Sequence, residues 1–336
     1  MRSYIKELIY SHETADIRDS RLPRLRQISS NLNNCANYLR FNHYYTVDQV
    51  RLVQARTCQH FLLCPFCAAR RAAKQLQKQL KKVEHVLQEN PSLIPVMITL
   101  TVKNGPDLEE RFKHLKKSFD TLKDRRRDYL KKGWGRTEFR KVHGSMFSYE
   151  FTNSGNGWHP HVHMIALVTD YIDQAALSQE WESITGDSKI VDVRKIRPKK
   201  GQENPLVDGM AEVFKYALKF QDMSLEDNYQ AFKILSGRRL LGSLGSLFDV
   251  DLEPDSTLDE AMAGLPFLEL FYSFNRRQSS YTLKTVRHFD EHGNMLNSPP
   301  PDIHPGGSMR SIEEGACPLI NLLDQPPPKA ETLPAA

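Results

Sequence analysis

His159-Pro-His161-Val-His163-Met-Ile-Ala-Leu-Val168 puts three of the chain's 12 histidines within five residues, just ahead of an apolar run. The run from His161 to Val168 predicts a strand. Residues two apart in a strand point to the same face. His161 and His163 therefore present two imidazoles side by side, with Val162 turned to the core. Upstream, Asn153-Ser-Gly-Asn-Gly157 has the composition of a tight hairpin turn. Met146 to Thr152 (MFSYEFT) reads as the partner strand, so an antiparallel hairpin should sit at the centre of the fold.

Glu150 lies on that partner strand, where its carboxylate can join the histidine face. His159 is the competing third ligand, although Pro160 can bend it away. Two imidazoles and a carboxylate, with coordination positions left open, suit a divalent cation that polarises a phosphoryl oxygen. The plain alternative is a set of surface histidines, which leaves their clustering without a reason.

Working outward, Ala68 to Gln88 predicts a helix closed by Asn90-Pro91, and Ile94 to Val102 (IPVMITLTV) a buried strand. Asp107 can cap a second long helix whose Leu108, Phe112, Leu115, Phe119 and Leu122 form one apolar stripe. Gln174 to Ile184 and Asp208 to Phe220 read as helices, and Lys189 to Ile196 as a strand. The expected class is α+β, an antiparallel sheet with flanking helices. Residues 20–60 read as polar and irregular. The domains expected are 1–90, an N-terminal region with a cysteine knuckle and a basic helix; 91–248, the histidine-bearing domain; 249–292, an acidic extension; and 293–336, a Pro-rich disordered tail.

Over 336 residues the net charge is only +5, but it is unevenly placed. From Cys64 to Ser145 there are 20 Lys and Arg against 9 Asp and Glu, a local excess of 11, whereas Asp249 to Leu270 holds seven acids and no base. A polyanion partner on one face follows, with Arg70, Arg71, Arg125, Arg126 and Arg127 as candidate contacts to DNA; solvated helix faces are the bland reading. The longest apolar run is far short of the roughly 20 residues that span a bilayer. The N-terminus lacks the basic-then-apolar design of a signal peptide, so the expected location is cytoplasmic, with no membrane partner.

Cys64-x-x-Cys67 has metal-clamp spacing, with Cys58 and Cys35 ahead of it. Four thiolates suit a structural Zn²⁺ site, and His60 could replace Cys35 or Cys58. The alternative is a set of buried thiols; Cys317 is set apart in the tail.

Glu212-Val-Phe-Lys-Tyr216-Ala-Leu-Lys219 would stack a carboxylate, a phenol and an ammonium along one helical ridge. A metal-bound phosphate and Lys219 could stabilise the phenolate as it forms.

TLTV (99–102), HPHVHMIALV (159–168) and EVFKYALK (212–219), in this order and spacing, resemble the three motifs of plasmid rolling-circle replication initiators. These belong to the single-tyrosine branch of the HUH (His-hydrophobe-His) endonuclease superfamily. The resemblance runs from about Cys35 to Leu247, and includes CPFCAARRAAK, Trp181 with Thr185-Gly-Asp-Ser188, and Gly237-Arg238-Arg239. It implies that His161 and His163 bind Mg²⁺ or Mn²⁺, that Tyr216 attacks the scissile phosphate with Lys219 nearby, and that Glu212 activates water to end a replication round. It implies an origin, single-stranded or hairpin, as the partner, a 5′-phosphotyrosine link, and a 3′-OH for a DNA polymerase. No GxxxxGK[ST] loop occurs, so a host helicase is expected; a homodimer, supplying a second tyrosine, stays open. The rivals are a related transposase or conjugative relaxase, and a non-catalytic zinc-containing DNA-binding regulator.

Overall fold

The computed structural model describes residues 1–15, 19–196, 205–214, 223–248, 250, 262–278 and 280–297. The elements are α1 (Arg2–Ala15), α2 (Leu22–Asn34), β1 (Tyr38–Tyr44), β2 (Gln49–Ala55), α3 (Pro65–Glu89), β3 (Ile94–Thr101), α4 (Leu108–Lys132), β4 (Val142–Asn153), β5 (Trp158–Val168), α5 (Gln174–Thr185), β6 (Val191–Lys195), α6 (Pro205–Val213), α7 (Leu225–Leu235), β7 (Leu241–Gly245), β8 (Phe267–Asn275), β9 (Ser280–Phe289) and β10 (Met295–Leu296). They fall into two units. One is built from Gln59–Leu252 with Ser3–Leu8, the other from Ile9–Cys58 with Glu253–Ala336. The stretch read as one N-terminal region, 1–90, is thus shared between the two.

The first unit is an antiparallel sheet of order β6-β3-β5-β4-β7. Its two faces differ in chemistry, because the strands alternate side chains about the sheet plane. On one face Phe147, Tyr149 and Phe151 of β4 meet Phe112 and Phe119 of α4 edge-on, at ring separations of 4.9–5.4 Å for the closest pairs. All five stripe residues of α4 are 2% exposed or less. Each such side chain contributes roughly 1.5–3 kcal/mol by leaving water. The helix starts where Asp107 accepts a hydrogen bond from the Glu110 N–H at 2.8 Å, and stops at Gly133 with φ 73°. On the other face Met146, Ile165 and Leu167 form a core with Val83 and Val86 of α3 and with Met210, Val213 and Phe214 at the end of α6.

The second unit carries a sheet of order β10-β9-β8-β1-β2. Residues 20–60, expected to be irregular, hold α2, β1 and β2, and the stretch read as an acidic extension holds β8 and β9. Leu39, Phe41, Leu268, Leu270 and Tyr272 are buried on one side of this sheet; Leu22, Leu25, Ile28 and Leu32 are the buried side of α2. Residues 298–336, and with them Cys317 and nearly all of the proposed tail, lie outside the described residues.

Candidate functional site

Strand pairing in the first unit lines up three cross-strand rows on the face covered by α3 and α6. Thr101, His161 and Glu150 form one; Thr99, His163 and Ser148 the next; Met97, Ile165 and Met146 the third. The third row belongs to the apolar core, and the first two continue it as a polar floor. The hairpin therefore does what its alternation implies: Val162 and Tyr149 go to the α4 side, and the histidines and Glu150 to the other.

Glu150 is 3% exposed, with Oε1 3.3 Å from His161 Nε2 and Oε2 3.4 Å from His163 Nε2. Donor atoms of Glu150, His161 and His163 all lie within 4.8 Å of one another, a grouping that could hold a metal ion. Burial by itself would raise the Glu150 carboxyl. The hydrogen bonds and charge of His161 and His163 outweigh it and hold the group well below the usual carboxylate range. A carboxylate kept ionised between two imidazoles is the donor chemistry a divalent cation requires.

Two neighbours set the histidine rings. Thr99 Oγ1 is 3.0 Å from His163 Nδ1, which leaves Nε2 as the atom facing Glu150. His159, the rival third ligand, hydrogen-bonds Asn104 through Nδ1 and is not one of the three grouped donors. Asn104 is held by the pairing of Gly105 with Trp158. A Cβ at Gly157 (φ 81°) would meet the Gly105 carbonyl oxygen at 2.8 Å, so the close approach demands glycine. Thr99, Ser148 and Asn104 were not singled out as site residues in the sequence. Thr99 had a signal, a polar residue that, like Thr101, faces the same side as Met97 in an otherwise apolar strand.

A family model described as "Replication protein" matches residues 49–270. The chain belongs to the replication protein family. It is 29% identical over 236 residues to "Protein rep" of Streptococcus pneumoniae serotype 2 (strain D39 / NCTC 7466), covering 65% of this chain and 68% of the relative. It is 27% identical over 207 residues to a "Replication protein" of Staphylococcus aureus, covering 55% and 83%. A "Protein rep" of Lactiplantibacillus plantarum is 24% identical over 217 residues, covering 59% and 63%. No solved structure matches. These matches support the plasmid replication initiator to which the three motifs point.

In this replication protein α6 closes over the polar floor. The Ser148 hydroxyl donates to the Val213 carbonyl at 2.5 Å, and Ser148 stands beside His163 on β4. Glu212 is thus on the last turn of a helix whose end is pinned next to the row of Ser148 and His163. Tyr216 and Lys219 lie outside the described residues.

The candidate DNA-contacting arginines separate by face. Arg125, Arg126 and Arg127 are on α4, on the far side of the sheet from the histidines. Arg126 Nε and Nη2 donate to the Val142 and His143 carbonyls at 2.7 and 3.0 Å, and Arg125 Nη1 lies 3.4 Å from Glu180. Only Arg127 of the three is largely turned outward, paired with Asp124. Arg70 and Arg71 are exposed on α3, which covers the histidine side, and Lys74 and Lys78 continue the stripe.

Cys35, Cys58, Cys64 and Cys67 are all buried and none is in a disulfide. Cys58 donates its backbone N–H to Cys35 Sγ at 3.3 Å, and Cys64 and Cys67 bracket the start of α3. No helix among the described residues is long and apolar enough to cross a membrane.

Proposed function

We propose that this replication protein is a metal-dependent, site-specific DNA nickase and strand-transferase that starts rolling-circle replication at a plasmid origin. The observation that carries the reading is the convergence of Glu150, His161 and His163 with the end of α6, pinned through Ser148. Tyr216 follows Val213 by three residues, a chain reach of about 10 Å.

Glu150, His161 and His163 would hold Mg²⁺ or Mn²⁺, which when bound supplies Lewis-acid polarisation of a phosphoryl oxygen. Thr99 keeps the His163 ring in the required tautomer. The Tyr216 phenol gives up its proton to a base in the site and its oxygen attacks phosphorus. That O–P bond forms as the bond to the 3′ oxygen breaks, and the departing oxygen takes up a proton. The products are a 5′-phosphotyrosine and a 3′-OH that a polymerase can extend. A free phenol has a pKa near 10, and the Lys219 ammonium lowers the cost of the developing phenolate. The phosphotyrosyl bond conserves the phosphodiester's energy, so rejoining consumes no nucleotide. Strand separation falls to a host helicase.

The test is incubation of the protein with single-stranded origin DNA and Mn²⁺, followed by isolation of the covalent peptide–DNA adduct. Wild type should carry DNA on the peptide containing Tyr216, and Tyr216→Phe should bind DNA but form no adduct. An adduct on the Phe variant would remove Tyr216 from the reaction. Absence of any nicking by the wild type would favour the DNA-binding regulator.

A further inference from the structure

The second unit's sheet has one face on which β1 and β8 bury no residue. Alternation along β1 and β8 buries Leu39, Phe41, Leu268, Leu270 and Tyr272. It turns Tyr38, Arg40, Tyr44, Phe267 and Phe271 to the opposite side, where none is buried. The rings form a cross-strand ladder. Tyr38 and Phe271 stack at 5.7 Å and 20°, Tyr44 meets Phe267 at 5.5 Å, and Phe267 stacks on Phe289 of β9 at 4.9 Å and 11°.

Aromatic ladders of this kind also occur as ordinary sheet packing. Two features separate this one from packing. The rings stand on the side where β1 and β8 bury nothing, rather than on the side of Leu39, Phe41, Leu268 and Leu270. They are also interleaved with guanidiniums: Arg40 on β1, Arg51 on β2 and Arg287 on β9 share the face. The one acid among these positions, Glu269, lies between two of them, 3.2 Å from Arg40 and 3.4 Å from Arg287. The face is therefore net positive, with flat apolar rings between the charges. Duplex DNA hides its base faces, so it would use only the charges. Single-stranded DNA uses both, its bases against the rings and its phosphates against the arginines.

We propose that this face is a second single-stranded DNA surface, separate from the nicking site, which holds bases by stacking without reading an origin sequence. The choice of DNA rests on the replication reading; the stacking chemistry stands without it.

The experiment uses the full-length protein, no added divalent cation, and a fluorescein-labelled oligo-dT that lacks any origin sequence, compared with a duplex of equal length. Single strands should bind more tightly than duplex, and Phe271→Leu and Phe267→Leu should each weaken oligo-dT binding about tenfold with little change for duplex. Arg287→Glu, at a side chain 56% exposed, perturbs the fold least and should weaken oligo-dT binding as well. Ultraviolet cross-linking of wild type to oligo-dT should mark peptides spanning 38–44 or 267–271. Wild-type affinity in Arg287→Glu, together with cross-links confined to Gln59–Leu252, would overturn the proposal. All three variants should nick a short origin oligonucleotide at saturating concentration as wild type does. A protein that binds oligo-dT as described yet nicks nothing would refute the proposed nickase and leave this surface standing.

Discussion

Thr99 shows how much of the candidate site depends on a residue that binds nothing itself. Its hydroxyl lies 3.0 Å from His163 Nδ1 and leaves Nε2 facing Glu150, where the proposed cation would sit. Outer-shell partners of this kind typically change metal affinity by about 10–100-fold. Thr99→Val, which keeps the β-branched shape and removes only the hydroxyl, should weaken calorimetric Mn²⁺ binding at least about tenfold, while Thr99→Ser keeps it. Unchanged affinity in the Val variant would make the contact incidental. The third ligand is tested at the same scale. Glu150→Gln should lose Mn²⁺ binding and His159→Ala should retain most of it, because His159 is engaged by Asn104. The reverse pattern would transfer the role to His159.

At the scale of elements, the two long basic helices look alike in sequence and differ in what they cover. α3 joins β3 through a short turn and so runs back along it. Its Val83 and Val86 pack near the far end of the histidine face, which directs the half bearing Arg70, Arg71 and Lys74 toward the histidines. Every cation withdrawn from the phosphates of a single strand should flatten the salt dependence by about 0.7 in slope. The triple alanine variant of Arg70, Arg71 and Lys74 should therefore lower the slope of origin binding by about 2. Arg126→Ala should leave that slope near its wild-type value and destabilise the fold by about 2 kcal/mol, since it removes charged hydrogen bonds to two backbone carbonyls. An unchanged slope in the α3 variant would place the DNA elsewhere. α6 carries the prediction about how the reaction stops. Glu212→Ala should nick at near-normal initial rate yet accumulate products longer than one plasmid unit, if Glu212 activates the terminating water. Unit-length products would reduce Glu212 to a helix-surface charge.

At the scale of the whole molecule, four buried cysteines predict about one zinc per chain, measured by metal analysis of protein purified without chelator, and a lower melting temperature after chelation. Protein free of zinc would leave them as thiols. What the sequence determined by itself was local. The His-x-His alternation, the turn at Asn153–Gly157, the Asp107 cap and the α4 stripe are all encoded within a dozen or so residues, and each set its element and its buried side. Even Glu150's place beside the histidine face was legible, because a short hairpin leaves little freedom of register; the structure sets it opposite His161. Three things were decided only by the tertiary structure. Thr99 meets His163 across 64 residues; α4 and α3 are assigned to opposite faces; and β1 pairs with β8, where Leu39 stands opposite Tyr272. β1 and β8 bury only one side, so their residues mix Arg, Asn, Glu and Ser with apolar ones and give no continuous hydrophobic run. Tyr38, Tyr44, Phe267 and Phe271 on the opposite face blur the period-2 alternation that a half-covered strand otherwise shows, and the pairing itself comes from a partner more than two hundred residues away, which periodicity within one segment cannot supply.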